Sequence, residues 1–213
     1  MNTKTKCPHC GAEVASLESM SWAEIKKNPE RVVVGDSKVV DLITGERVEF
    51  VVVGKEHDKT IDGGMASLTF ATKHLLEQMH FMNPTNTNKG GWGESFMRKA
   101  NMERIYRLLP DEVKDVICTV IKHTGDEKTN DKLFLFSEIE VFGTDKTSRE
   151  HQYPYFKDED VREMVTVSGN DYWWWLRSPL VGGATGFRDV YAGGGLDWDS
   201  ATGAGGVCLG FCV

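Results

Sequence analysis

Apolar positions along this chain repeat with two periods, one near 3.6 and one near 2, and the alternation between them outlines an α+β protein. Ser21-Trp-Ala-Glu24 has the form of a capping box opening a short helix, which Pro29 limits. Runs rich in β-branched residues at 32–34, 38–42 and 47–53 are punctuated by Gly35-Asp36 and Thr44-Gly45, the pattern of antiparallel hairpins. Across 65–82, Met65, Leu68, Leu75, Met79 and Met82 fall at helical spacing with Ala71 and Leu76 beside them, which predicts a helix ending before Asn83-Pro84. A second main helix is expected over 95–109, and Pro110 is placed to open a third over 111–121. Residues 133–136 are apolar on both faces and read as a buried strand, and Ser137 with Glu140 repeats the capping-box pattern. The stretch 143–170 is charged and turn-rich. The prediction is antiparallel sheets with two main helices.

The last forty residues change character, turning rich first in Trp and then in Gly. In Tyr172-Trp-Trp-Trp-Leu-Arg-Ser-Pro179, strand alternation puts Trp173 and Trp175 on one face and Trp174 on the other. That is the pattern of a core strand with one exposed ring. Arg177 can donate to loop carbonyls and hold the next segment in place. At the end, Val207, Leu209, Phe211 and Val213 alternate with Cys208, Gly210 and Cys212, as in a terminal strand. Four extended residues separate Cys208 from Cys212 by about 13 Å. A disulfide needs Cα atoms within about 7 Å, so these two read as packing residues.

Charge and cysteine content narrow the function. A formal net charge of -7 without a basic run argues against nucleic-acid binding, and no apolar run is long enough to insert in a membrane. The N-terminus has no apolar signal region, so synthesis in a reducing cytoplasm is expected, with later delivery on a phage particle left open. Five cysteines make an odd number for a disulfide framework. Cys7 and Cys10, two residues apart with Gly11 following, form half of a zinc-ribbon site within a segment at 1–19. Its other ligands would come from His9, from Cys118 and His123, or from a neighbouring chain; otherwise it is a degenerate half-site. His57-Asp58, His74 and His80 occur without a recognisable nucleophile and read as surface or helix-face groups, and Lys157-Asp-Glu-Asp160 reads as a solvated face.

Trp174-Trp-Leu-Arg-Ser-Pro179 resembles the signature of a bacterial and phage family with a C-type-lectin-like fold, in the variant shared with formylglycine-generating enzymes. Other matching phrases are Ser21-Trp-Ala-Glu-Ile25, Val34-Gly-Asp36, Thr85-Asn-Thr-Asn-Lys-Gly-Gly-Trp92, Leu108-Leu-Pro110, Asp131-Lys-Leu-Phe-Leu-Phe-Ser-Glu138 and Val141-Phe-Gly143. The likeness spans 20–213. Some of these proteins resemble the variable proteins of diversity-generating retroelements, in which a reverse transcriptase substitutes bases at template adenines and rewrites the 3′ end of the gene. The resemblance implies a ligand-binding protein, not an enzyme, with a hypervariable surface over 181–206.

That segment contains no Lys, Glu, Gln or Met, residues that an AAC codon randomised at both adenines cannot encode. Trp198 alone breaks the pattern and needs another template codon. Within it, Phe187, Val190 and Leu196 are expected to anchor the segment and Arg188 to serve the scaffold with Trp173, Trp174, Trp175 and Arg177. Asp189, Tyr191, Asp197, Trp198, Asp199, Ser200 and Thr202 form the expected contact surface, with Tyr191 and Trp198 as anchors. The ligand is an unspecified protein or glycan, and a homo-oligomer is left open.

Two other functions remain open. One is an oxidase like the formylglycine-generating enzymes, using Cys208 and Cys212 as a metal-binding pair. The other is a structural or assembly module docked through the N-terminal knuckle. Calcium-dependent sugar binding has little support, since Asp197 and Asp199 fall short of the six to eight oxygens calcium takes.

Overall fold

The computed structural model describes residues 17–145 and 148–213, so the Cys7/Cys10 half-site lies outside the described residues. Three antiparallel sheets carry the described residues. The largest has the order β1-β2-β3-β10-β6, built from Ser37–Asp41, Arg47–Lys55, Leu68–Thr72, Gly210–Cys212 and Leu133–Phe134. A hairpin joins β4 (Val120–Thr124) to β5 (Glu127–Asp131), and a three-stranded meander runs β7 (Trp174–Pro179), β8 (Gly186–Val190), β9 (Leu196–Ser200).

The terminal strand is the keystone of the large sheet. Phe211 pairs with Phe70 on one side and Leu133 on the other, so both edges of β10 are hydrogen-bonded. Its ring stacks on Phe70 at 5.3 Å and meets Phe50 edge-on at 5.1 Å, while Trp22 from α1 (Trp22–Lys27) closes on Phe70 at 5.1 Å. These buried rings form the aromatic heart of the core. Strand β10 is buried on both faces, so Cys208 and Cys212 are as enclosed as the residues alternating with them.

Both capping boxes form. Ser21 opens α1 and Ser137 opens α5 (Glu138–Phe142), each accepting from the backbone N–H three residues on. The helix expected over 65–82 does not form. Leu68–Thr72 is strand β3, buried along its whole length between β2 and β10. A strand enclosed on both faces need not alternate, and apolar residues on both of its faces, here Leu68, Phe70 and Ala71, can mimic a helical period over a short window. Beyond Thr72 the chain is irregular and is held at Leu75 and His80 by isolated bridges. The second expected helix is a π-helical turn (Met97–Asn101) continuing into α3 (Met102–Leu108), after the short α2 (Gly91–Glu94). The third is a single turn, α4 (Asp111–Lys114), because Val120 and Ile121 belong to β4. Val32 and Val33 precede the first hairpin without joining it.

Two polar devices fix the meander. Asn88 donates through Nδ2 to the carbonyls of Gly183 and Gly186, both at 2.8 Å, and holds the β7–β8 turn. Arg177 on β7 is fully buried. Its guanidinium donates to both carboxylate oxygens of Glu140 (2.5 and 2.9 Å), to Glu150 (2.8 Å), to the carbonyls of Leu135 and His123, and to the Thr124 hydroxyl. The carbonyl partners agree with the sequence-based expectation; the two carboxylates are an addition to it. Together these contacts tie β7 to β4, α5 and the strand leading into α5.

Replacing Arg177 with Met removes the guanidinium from two buried carboxylates and two carbonyls, leaving Glu140 with Lys122 and Glu150 without its cation. The expected loss is roughly 3–5 kcal/mol in urea unfolding. Arg177→Lys keeps the charge but not the planar fork, so it is expected to recover only a minor part of that loss.

Candidate functional site

Trp173 and the strand that follows it divide the indoles between two faces as the alternation predicts, but the exposed ring expected on this strand is not there: Trp174, alone on its face, is fully buried. Trp174 is buried against Phe156 and donates to the Arg162 carbonyl at 3.1 Å. Trp175, on the opposite face, donates to the His80 carbonyl at 2.8 Å and meets Trp173 edge-on at 4.6 Å. Trp173 is half-buried, stacks on Tyr172 and sits so close over Gly205 that a Cβ there would lie 2.4 Å from its ring. The close approach of ring to backbone therefore requires glycine.

Beside Trp173 the surface opens into a shallow cleft of about 510 Å³. Asp189, Tyr191, Asp197, Trp198 and Asp199 line it together with Asp171, Tyr172 and Ala192. Five of the seven predicted contact residues thus converge. The other two do not: the Ser200 hydroxyl is engaged by Asn86 at 2.6 Å, and Thr202 is exposed in the following turn. Tyr191 and Trp198 are about half exposed. Tyr191 lies flat over the β8–β9 turn, where a Cβ on Gly195 would sit 2.1 Å from its ring. Phe187 and Val190 are fully buried and Leu196 partly so, which fits the anchoring expected of them. Arg188 is committed to Glu138 at 3.0 Å, a scaffold role. Asp171 and Tyr172 join the site without having been singled out in the sequence, although Tyr172 opens the aromatic stretch that marks the region.

Asp189 is the unusual group. It is only 3% exposed, and among the described residues its carboxylate has neither a hydrogen bond nor an ion pair. It pairs across the sheet with Trp175 on one side and Asp197 on the other. Burial, with Asp197 and Asp199 alongside, pushes its pKa from 3.8 up to about 7.

A second polar constellation lies under the large sheet, where the sequence pattern gave no expectation of one. Asp58, expected at the surface, is buried. It accepts from Lys122 Nζ (2.7 Å), the Tyr153 hydroxyl (2.7 Å) and the Thr69 hydroxyl (2.6 Å), with Cys212 Sγ at 3.4 Å. Lys122 also reaches Glu140 at 2.5 Å, joining this cluster to the Arg177 network. Lys122 holds the Asp58 carboxyl well below the usual carboxylate range despite its burial. A cavity of about 530 Å³ opens beside the cluster, with His57 stacked on Tyr153 at 3.8 Å. Neither His57 ring nitrogen has a hydrogen-bond partner among the described residues, and burial lowers its pKa. The only hint in sequence was the His57-Asp58 pair itself.

The cysteines considered for oxidase chemistry are fully buried. Burial pushes Cys208 up to about 12 and raises Cys212 as well. Cys208 points its thiol at the Thr72 carbonyl and Cys212 at Asp58. Among the described residues no group of three or more His, Cys, Asp and Glu side chains is arranged to hold a metal ion, and no helix is long and apolar enough to cross a membrane. Lys157 through Asp160 are exposed, as expected.

Fold and site together define an α+β protein with antiparallel sheets and an aromatic-acidic cleft on its C-terminal meander. The family model for a domain of unknown function (DUF6273) matches residues 68–213, from β3 through β10, and the chain belongs to that family. No curated protein and no solved structure matches the chain.

A carboxyl with a raised pKa retains its proton in the folded state between about pH 4 and pH 7, where the unfolded chain has released it. Asp189 therefore costs stability increasingly as pH rises through that window. Asp189→Asn is expected to raise the melting temperature more at about pH 8 than at about pH 5. An equal effect at both pH values in thermal unfolding would contradict the raised pKa.

Proposed function

We propose that this protein recognises a ligand through the cleft on β7, β8 and β9, on a C-type-lectin-like scaffold whose segment 181–206 is diversified by a retroelement reverse transcriptase. The observation that carries the reading is the convergence of Asp189, Tyr191, Asp197, Trp198 and Asp199 on one cleft. Codon composition and family resemblance point to the same segment, 181–206, without any use of geometry, although Trp198 needs a different template codon. The division of labour within the segment also supports it. Phe187, Val190 and Arg188 attach the strands to the body, while Tyr191, Asp197 and Trp198 stand out from it. Aromatic residues on a fixed backbone suit a binding surface, because they bring large contact area at small entropic cost. Recognition by such a surface needs no catalytic group, and this reading treats the protein as a binder, not an enzyme. Delivery on a phage particle and a structural zinc at Cys7 and Cys10 belong to the same proposal.

Sequencing the DNA around the gene tests it. The expected result is a neighbouring reverse transcriptase gene and a second near-copy of the 3′ end that differs from the first at adenines. A coding segment for 181–206 that is identical across independent isolates, with neither element nearby, would rule the diversified reading out.

A further inference from the structure

The chemistry of the cleft is one-sided. Asp171, Asp189, Asp197 and Asp199 line it, and among the described residues no Lys, Arg or His does. The nearest positive charge on these strands, Arg188, is spent on Glu138. The remaining lining is largely aromatic, with Trp173 and Tyr191 flanking the carboxylates. Asp189 adds an independent observation, being a buried carboxylate without a partner that lines the cleft. A buried anion without a counter-ion is costly unless something supplies the missing charge. Aromatic faces attract cations as well, more so when water is excluded. Among the described residues no set of side chains is arranged for a metal ion, so the aromatic walls favour an organic cation.

Resting on the recognition reading above, we infer that the ligand presents a cationic group, an ammonium or guanidinium as on a Lys- or Arg-bearing peptide, which seats against Asp189 between Asp197 and the rings of Trp173 and Tyr191. The groups facing Asp189 are Asp197 and Asp199 from β9 and Trp175 from β7, with Arg188 on its own strand. Burial, with Asp197 and Asp199 alongside, raises its pKa to about 7 and Arg188 only partly offsets them, so the empty cleft holds a partly protonated carboxyl near neutral pH. A bound cation favours the ionised form. Binding therefore strengthens as pH rises from about 6 to about 8.

The test uses the full chain and three peptides of equal length, alternating Gly and Ser with Lys and Arg, with Asp and Glu, or with Asn and Gln. Binding is followed by indole fluorescence at low salt. The cationic peptide is expected to bind about tenfold or more tighter than the other two. Asp197→Asn with Asp199→Asn is expected to remove about tenfold of that affinity. Asp189→Asn is expected to abolish the rise between pH 6 and pH 8. Asp41→Asn and Asp115→Asn, exposed positions outside the cleft, are the controls and are expected to change nothing. Cationic binding that the cleft substitutions leave unchanged overturns the inference, because it reports only the overall negative charge. A preference for the acidic or neutral peptide that Tyr191→Ala or Trp198→Ala abolishes overturns the cation assignment and leaves the recognition reading standing. No response of any peptide to any cleft substitution counts against both.

Discussion

Everything the C-terminal meander does depends on one buried guanidinium. Arg177 reaches Glu140 at the start of α5, Glu150 beyond it, and the backbone at His123 and Leu135. A charge taken fully out of water survives only when its donors are satisfied and its charge is balanced. Glu140 accepts from Arg177 and pairs with Lys122, which pairs in turn with Asp58. The network therefore runs from β7 through the core to the chain beyond β2. With that strand fixed, β8 and β9 take their places by antiparallel pairing, and the cleft residues inherit their positions from the register.

The two buried polar systems differ in how their charges are met. Around Arg177 and Lys122 each carboxylate meets a cation: Asp58 and Glu140 stay below the ordinary range despite burial, while at Glu150 burial and the neighbouring Glu140 outweigh Arg177 and raise the pKa. Around Asp189 no cation is in contact among the described residues, and the pKa rises. An enclosed carboxylate left without a partner works against stability, which is the condition expected of a group reserved for a ligand. The asymmetry sets the Asp189 carboxylate apart from the larger charged cluster, where the unpartnered group among the described residues is the His57 imidazole rather than a carboxylate.

Local signals were legible in the sequence wherever they were self-contained. The capping boxes at Ser21 and Ser137 need only four residues each, and both form. The alternation of Trp173, Trp174 and Trp175 gave the faces of β7 correctly, because the period of a strand does not depend on its neighbours. The predicted helix over 65–82 failed for the opposite reason. Only the pairing of β3 with β2 and β10, the latter about 140 residues further on, explains why Leu68–Thr72 is buried throughout. Asp58 was misjudged in the same way, since its partners Lys122 and Tyr153 lie 64 and 95 residues away. Five of the cleft-lining residues were singled out in advance, through the family resemblance and the side-chain types within 181–206. Asp171 and Tyr172 fall outside 181–206, and only the folded cleft brings them in.

On this account the frame holds without the side chains that line the cleft. Replacing Tyr191, Asp197, Trp198 and Asp199 together with Ser, and comparing near-ultraviolet circular dichroism and the unfolding midpoint with those of the parent chain, tests this most directly. The expected result is a cooperative transition with a midpoint close to the parent's and an intact signal from the buried indoles of Trp174 and Trp175. Loss of the cooperative transition would show that these side chains belong to the core, and the separation of frame from surface would fall.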